Sequence, residues 1–253
     1  MTPEEILNYQ PAGDLLKDRV ILVTGASDGI GRAVSRAYAR HGATIILLSK
    51  TIKKLEEVYD EIEADGGPKP AIYPLNMQGA TPKDYKEMAE NIEKEFGRLD
   101  GLLNNAAWLG AYTPFVHYEP ELWTQVITVN LQAPYMITHA CLPLLEKASD
   151  PAIVFSSHES MKAYNGAFGV AKAGQHAMMK ILADEYSDTD ITIRVNSVDT
   201  GPARTMMRRM HYPGENPMSV PDPADLVAPY LYFMGPECTE TGTDFSIPRA
   251  RGE

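Results

Sequence analysis

The starting point for predicting the architecture is the stretch Arg19-Val-Ile-Leu-Val-Thr24, followed directly by Gly25-Ala-Ser-Asp-Gly-Ile-Gly31. The first six residues form an apolar run typical of a strand, and a helical pattern extends from Ile30 to His41. Glycines between a strand and a helix let the backbone approach a pyrophosphate, whose charge the free N–H groups of the helix bind. A purely structural turn is the alternative. The context predicts a dinucleotide site with contacts from Gly25, Ser27, Asp28, Gly29, Ile30 and Gly31.

Short apolar runs alternate with helical patterns along the rest of the chain. Further strands are predicted at 43–48, 71–75, 99–103, 152–155 and 191–198, and further helices at 52–64, 82–96, 120–147 and 166–187. Near-continuous apolar strands alternating with helices indicate parallel strands that are buried on both faces. The predicted fold class is therefore α/β, a doubly wound parallel sheet with helices on both faces (a Rossmann fold). No linker divides the chain, so residues 1–253 are predicted to form a single domain.

Composition excludes several classes of protein. The chain of 253 residues has 23 basic and 34 acidic residues, a formal net charge of −11, which argues against nucleic-acid and anionic-membrane partners. No apolar run approaches the ~20 residues that span a membrane. The two cysteines, Cys141 and Cys238, are far apart, and the histidines lack ligand spacing, so no disulfide framework and no metal site is predicted. The acidic N-terminal stretch is not a signal peptide, so a cytoplasmic location is predicted.

The end of the second predicted strand indicates which cofactor is bound. An acidic residue there binds the ribose 2′-hydroxyl of NAD, whereas a basic residue suits the 2′-phosphate of NADP. The sequence reads Ser49-Lys50-Thr51, with no acid. Although Lys50 as a solvated surface residue is the alternative, the pattern favours NADP(H) over NAD(H).

Several motifs in order resemble those of the short-chain dehydrogenase/reductase family over nearly the whole chain. These are the T-G-x-x-x-G-x-G turn, Leu75-Asn76, Asn104-Asn105-Ala106-Ala107, Asn130 in Val-Asn-Leu, and Thr200-Gly201-Pro202. The resemblance implies that Asn76 binds the adenine, and that Asn105 and Ala106 also line the cofactor site. It places Gly201 and Thr205 beside the nicotinamide, and it implies that Asn130 supports a relay water.

The catalytic signature departs from the family pattern. The family's active residues are a serine and a Y-x-x-x-K motif, in which the lysine lowers the pKa of the tyrosine and holds the ribose. This chain has Phe168-Gly-Val-Ala-Lys172, so Lys172 is present but Phe168 stands at the tyrosine position. The serine position falls on Ser157 or His158, and the stretch from there to Phe168 is shorter than in the family.

Three hypotheses about activity follow from this departure. In the first, another group supplies the proton, either the imidazole of His158 or the phenol of Tyr164, one helical turn before Phe168 if the helix extends back that far. The structural alternatives are a loop histidine hydrogen-bonded to backbone for His158 and a pocket-lining or core aromatic for Tyr164. In the second, hydride transfer between NADP(H) and a carbonyl or alcohol persists with an impaired relay. In the third, the protein binds NADP(H) without turnover, as a sensor or partner subunit.

The segment from about 200 to 220 is rich in proline and methionine, which suits a lid over the substrate, with a short helix and surface loop as the alternative. Pocket residues are predicted at Trp108, Tyr164, Met206 and Met207, which implies a partly apolar small-molecule substrate. The resemblance also implies a homodimer or homotetramer formed through the two long helices. Met136, Met178 and Met179 are expected on the exposed faces of these helices, with core positions as the alternative.

Overall fold

A computed structural model describes residues 1–188 and 191–248. The described residues form a parallel sheet with the order β3-β2-β1-β4-β5-β6-β7. The strands are β1 (Val20–Thr24), β2 (Thr44–Ser49), β3 (Ala71–Pro74), β4 (Gly101–Asn104), β5 (Ala152–Ser156), β6 (Arg194–Asp199) and β7 (Asp244–Ser246). The order reverses between β1 and β4, and ligands of doubly wound sheets bind outside the strand ends at such a switch point.

Helices connect the strands and cover both faces of the sheet. They are α1 (Pro3–Leu7), α2 (Gly29–Arg40), α3 (Ile52–Ala64), α4 (Pro82–Phe96), α5 (Pro120–Ile127), α6 (Ala133–Leu145), α7 (Gly166–Glu185), α8 (Met206–His211) and α9 (Ala228–Met234). Single 3₁₀ turns lie at Phe115–His117, Pro217–Ser219 and Pro223–Leu226. The predicted fold class is confirmed.

Alternation along the strands produces two apolar cores. Ile21 and Val23 of β1 pack with α2, α3 and α9, whereas Val20 and Leu22 pack with α4, α6 and α7 on the opposite face. Successive side chains of a strand point to opposite faces, so a strand that is apolar at every position is buried on both. Burial on both faces holds the sheet in place. The loops of the site project from the carboxyl edge of this sheet.

The structure differs from the sequence prediction in several places, and helices α1 and α9 were not predicted. The helical region predicted at 120–147 is interrupted by a π-helical turn at Thr128–Gln132, which separates α5 from α6. Strand β7 was not predicted, since its three residues are too short to give a pattern. The prediction of exposed methionines was wrong: Met179 is fully buried, and Met136 and Met178 pack against the same core.

Candidate functional site

Two adjoining cavities lie at the carboxyl edge of the sheet. The larger, of about 510 Å³, contains the glycine turn, the end of β2 and the loop after β4 in its wall. The smaller, of about 130 Å³, contains Ser156, His158, Phe168 and Lys172. The cavities share lining residues, among them Asn105, Thr205 and Met207. They therefore form one continuous cleft, with the glycine turn at one end and Lys172 at the other.

The glycine turn is packed so closely at Gly25 and Gly31 that no side chain fits at these two positions. Gly25 has a φ of +68°, and a Cβ there would lie 2.9 Å from Ala106 Cα. A Cβ at Gly31 would lie 2.2 Å from the carbonyl oxygen of Gly25. Thr24 Oγ1 accepts hydrogen bonds from the N–H groups of Asn105 (2.9 Å) and Ala106 (3.0 Å), which hold the two loops together. The turn therefore presents bare backbone to the cleft, as a pyrophosphate requires.

The acidic residue in the turn is occupied by protein contacts. Asp28 caps α2 by accepting from the N–H of Gly29 at 2.7 Å. Its other carboxylate oxygen accepts from Lys54 Nζ at 2.8 Å. Because this ion pair offsets the negative charge of Asp28, the carboxylate opposes an anionic ligand less than the sequence alone suggests.

The remaining predicted cofactor residues lie along the larger cavity. Ser27 and Ser49 join the glycine turn to the end of β2 through hydroxyl groups 2.7 Å apart. Lys50 and Asn76 are exposed and line this cavity, as do Ile30, Gly29 and Ala106. Thr205 caps α8 and packs over the turn, where a Cβ on Gly29 would lie 2.9 Å from Thr205 Cγ2. Gly201, with a φ of +64°, lines the smaller cavity.

Lys172 is buried at the inner end of the cleft, with 5% of its surface exposed. Its Nζ donates to the carbonyl oxygen of Ser156 at 2.7 Å and to Gln175 Oε1 at 3.0 Å, and lies 5.8 Å from the centroid of the Phe168 ring. Burial lowers the pKa of Lys172 to about 8, although the charge of Asp199 acts in the opposite direction. Part of the ammonium population therefore loses its proton in mildly alkaline solution.

This lowered pKa predicts a pH-dependent stability. The pKa of Lys172 is about 8 in the folded protein against 10.5 for an ordinary lysine, so between these values the unfolded chain binds more protons. The free energy of unfolding therefore gains roughly 3 kcal/mol from this group as the pH rises through that window. Urea unfolding of the protein and of Lys172→Met between pH 8 and 10.5 should show the gain only with lysine. Parallel stability curves would contradict the prediction.

Ser157 and His158 both line the smaller cavity, but their side chains contact different strands. The N–H of Ser157 continues the ladder of β5 by donating to Val198 O at 2.9 Å, and its hydroxyl donates to Asp244 Oδ1 at 3.2 Å. The His158 side chain lines the smaller cavity, and its ring centroid lies 6.1 Å from that of Phe168. Of the two side chains, only that of Ser157 is hydrogen-bonded to β7, through Asp244.

His158 is paired with a buried carboxylate. Its Nδ1 lies 3.5 Å from Asp199 Oδ1. Asp199 also accepts from the N–H groups of Gly201 (2.7 Å) and Glu159 (2.9 Å). Burial opposes ionisation of this carboxyl group, but the bond to His158 and those from the two N–H groups outweigh it, so the pKa of Asp199 falls to about 2. Asp199 is a permanent anion in the wall of the site at neutral pH.

Four residues near the site were missed by the sequence analysis. They are Ser156, Tyr230, Gln175 and Asp199. The Ser156 hydroxyl lies 3.0 Å from that of Tyr230 and donates to Asn105 at 3.1 Å. Asp199 had a usable signal, because an acid directly after a buried strand and before Thr200-Gly201 lies at the same sheet edge. Tyr230 lies far along the chain on α9, where the sequence carries no such signal.

Asn130 is held in place by contacts of both its side chain and its backbone. It is fully buried in the π-helical turn, where its side chain accepts from the N–H of Trp108 (3.0 Å) and donates to Trp108 O (2.7 Å) and Val126 O (2.8 Å). Its carbonyl oxygen accepts a hydrogen bond from Gln175 Nε2. The Gln175 amide also accepts from Lys172, so it connects Asn130 to Lys172.

Tyr164 is placed outside the cleft. Helix α7 begins at Gly166, so Tyr164 does not lie one helical turn before Phe168. It has a φ of +72°, 59% of its surface is exposed, and it is absent from the lining of both cavities. The structure thus separates Tyr164 from the other predicted pocket residues, whereas Trp108, Met206 and Met207 all line the larger cavity.

The segment around α8 is tied down over the cleft by polar contacts. Tyr212 donates from its hydroxyl to that of Tyr112 at 3.0 Å, and Arg208 pairs with Glu215 at 2.6 Å.

Among residues 1–188 and 191–248, no group of His, Cys, Asp and Glu side chains is suited to hold a metal ion. Within the same ranges, no helix combines the length and apolar character needed to cross a bilayer.

Comparisons with known proteins point to one family. The sequence model of the short chain dehydrogenases matches residues 19–216. The uncharacterized oxidoreductase YciK of Escherichia coli K12 is 40% identical over 249 residues, which cover 97% of this chain and 98% of that protein.

Two solved structures are similar over nearly the full chain. A Pseudomonas syringae protein assigned to the short chain dehydrogenases is 45% identical, with a TM-score of 0.91, and the match covers 94% of this chain and 98% of the other. A Shigella flexneri 2a protein with the same assignment, solved in complex with NADP, is 39% identical, with a TM-score of 0.89 and coverage of 93% and 99%.

Proposed function

The chain belongs to the short-chain dehydrogenase/reductase family of oxidoreductases, and from this premise we propose that it exchanges a hydride between NADP(H) and the carbon of a carbonyl or alcohol. One observation carries the proposal. The cavity beneath the glycine turn runs without interruption into a smaller cavity that holds the buried Lys172 and apolar walls. A dinucleotide lying on the turn thereby reaches a pocket of the size of a small substrate.

The residues of the larger cavity fit the cofactor. The bare backbone from Gly25 to Gly31 would hold the pyrophosphate, and Lys50 with Ser49 would hold the 2′-phosphate. Asn76 would bind the adenine, while Asn105 and Ala106 would border the nucleotide. At the other end, Lys172 would hold the nicotinamide ribose, with Gly201 and Thr205 beside the carboxamide. The bound cofactor supplies the hydride, and the protein supplies orientation and the proton. The NADP complex of the Shigella flexneri relative supports this choice of cofactor.

We propose that Phe168 occupies the position of the family's active tyrosine, so that the proton relay is altered. Phe168 is buried four residues before Lys172 on α7, and its ring faces the Lys172 ammonium. A benzyl ring has no proton to donate and no hydrogen bond to offer a carbonyl oxygen. Efficient turnover therefore requires a different donor, and without one the protein would be an NADP(H)-binding sensor or partner subunit.

The smaller cavity suggests a compact, partly apolar substrate, because Leu109, Tyr112, Phe168 and Met207 form much of its wall. We propose that the chain is one domain and that residues 200–220 act as the substrate cover, held by the Tyr112–Tyr212 contact. A homodimer or homotetramer is supported by the exposed Tyr135 on α6 and by Val170 and Ile181 on α7.

Nucleotide titration and a carbonyl panel test the proposed function. We expect NADPH to bind more tightly than NADH, and an aldehyde and ketone panel to yield alcohol product. Product formation should fall by about 10²-fold or more in Lys172→Ala, because orientation of the reactants is lost with the ammonium. Identical rates in both proteins would contradict the enzymatic role. Tight NADPH binding without product from any carbonyl would favour the sensor hypothesis, and a failure to bind nucleotide would exclude both.

A further inference from the structure

The smaller cavity needs a proton donor that Phe168 does not provide. Several candidates in its wall are already bound elsewhere: the Ser157 hydroxyl to Asp244, and the Ser156 hydroxyl to Asn105 and Tyr230. His211 faces two backbone carbonyls, with Nδ1 2.8 Å from Met207 O and Nε2 3.3 Å from Gly110 O. The phenols of Tyr112, Tyr212 and Tyr230 also line this cavity. Tyr212 donates to Tyr112, the Tyr230 hydroxyl lies 3.0 Å from that of Ser156, and burial raises the pKa of Tyr112 and of Tyr230. We therefore compare the two groups whose protons are more acidic, His158 and Lys172.

Lys172 is poorly connected for proton delivery. It donates to Ser156 O and Gln175 Oε1, and the Gln175 amide donates in turn to the carbonyl of Asn130. An uncharged amide has no titratable proton to pass on, so this chain of bonds positions the ammonium without connecting it to solvent. Lys172 therefore suits holding and electrostatic stabilisation better than repeated donation.

We propose that His158, oriented by Asp199, is the catalytic acid–base of this site, an inference that rests on the proposed function above. The Nδ1 of His158 lies 3.5 Å from Asp199 Oδ1. Catalytic hydrogen bonds are often this long in the absence of substrate and shorten when substrate binds. Within the described part of the chain, Nε2 on the opposite edge of the ring has no hydrogen-bond partner. The ring thus presents one nitrogen to the carboxylate and the other to the cavity.

Asp199 is fixed well enough to act as the positioning residue. Two backbone N–H groups hold its oxygens, and the residue is 4% exposed at the end of β6. A rigid carboxylate favours the tautomer that carries the proton on Nδ1 and stabilises the imidazolium when it forms. A glutamine at 158 would retain polarity but could not donate and recover a proton.

The step balances as an acid-catalysed reduction. The substrate carbonyl carbon receives the hydride that NADPH supplies, and the π electrons of the C=O bond move to oxygen. The Nε2–H bond of the imidazolium breaks, its proton forms the O–H bond of the alcohol, and His158 is left neutral beside the unchanged Asp199 carboxylate. Solvent restores the proton through the open side of the cleft. In the oxidative direction, neutral His158 accepts the alcohol proton.

Several titratable or charged groups share the cavity with His158 or adjoin it in sequence. They are Asp199 on β6, Lys172 on α7, Tyr230 on α9, the neighbouring Glu159, Tyr112 in the loop after β4, and Arg208, His211 and Tyr212 around α8. Because the proposed donor is the protonated ring, kcat for reduction should fall as the pH rises, and kcat for oxidation should rise.

The test compares His158→Gln and Asp199→Asn with the matched control His176→Gln. His176 also pairs with a carboxylate, Asp244, at 3.3 Å, but it lines neither cavity. We expect His158→Gln to lower kcat by about 10²–10⁴-fold and to flatten the pH profile, with NADPH affinity unchanged. Asp199→Asn should lower kcat by about tenfold or more and shift the profile, whereas His176→Gln should match the parent protein.

A spectroscopic readout is independent of turnover. With histidines labelled with ¹⁵N, the Nδ1–H resonance of His158, assigned by its loss in His158→Gln, is expected at low field. It should persist in His176→Gln, which removes a different Nδ1–H, and it should be lost in Asp199→Asn. Parent-like kcat in His158→Gln, or no such resonance, would overturn the role of His158 while leaving the oxidoreductase proposal intact. NADPH binding without turnover of any carbonyl by the parent protein would overturn both.

Discussion

Replacing Gly31 by alanine is expected to weaken NADPH binding by about 100-fold, because the turn that would hold the pyrophosphate has no room for a Cβ. That atom would lie 2.2 Å from the Gly25 carbonyl oxygen and 2.5 Å from Asn105 Nδ2. Relieving these overlaps moves both loops of the cradle, and overpacking of this kind typically costs about 1–3 kcal/mol. A cost of about 2.7 kcal/mol in the bound geometry corresponds to 100-fold in Kd.

The matched control is Gly13→Ala, since a Cβ at Gly13 meets nothing within 4 Å. Fluorescence titration with NADPH should give a parent-like Kd for Gly13→Ala and a weakened one for Gly31→Ala, and thermal unfolding would check that both variants are folded. Unchanged affinity in a folded Gly31→Ala protein would mean that the nucleotide does not lie on the turn.

The fold was predictable because its signals are local and repeated. A single strand such as β1 is apolar at every position, and this pattern indicates burial on both faces before any contact is known. The glycine turn was predictable for the same reason, since a strand, a turn and a helix follow one another directly. Strand β7 was not, because Asp244 and Ser246 are polar and only Phe245 is buried.

The catalytic end of the cleft was less predictable, because it depends on orientation and on distant contacts. Ser157 and His158 follow β5 directly, and their side chains contact different strands, Ser157 contacting Asp244 on β7 and His158 contacting Asp199 on β6. Neither partner is indicated by the local sequence around the pair. The contact between Gln175 and Asn130 spans 45 residues, and nothing in the local sequence around either residue indicates it.

A tyrosine at position 168 is expected to restore at least tenfold of the turnover that His158→Gln removes. Phe168 lies near both Lys172 and His158. The centroid of its ring is 5.8 Å from Lys172 Nζ and 6.1 Å from the centroid of the His158 ring. A phenol there gains a proton-donating hydroxyl in the smaller cavity, and a nearby ammonium lowers the pKa of a phenol. Since a positioned acid contributes about 10²–10⁴-fold, partial recovery is a large effect.

The comparison that isolates the hydroxyl is Phe168→Leu in the same His158→Gln background, which changes the ring without adding a donor and should give no recovery. Adding Lys172→Met to the rescued protein should abolish the recovery, because the phenol then lacks the charge that lowers its pKa. If Phe168→Tyr restores turnover, the pocket still holds a carbonyl oxygen within reach of position 168, and the phenylalanine accounts for the altered relay. If it does not, while the parent protein is active, the substrate oxygen lies on the His158 side of the cavity, beyond the reach of a phenol on α7.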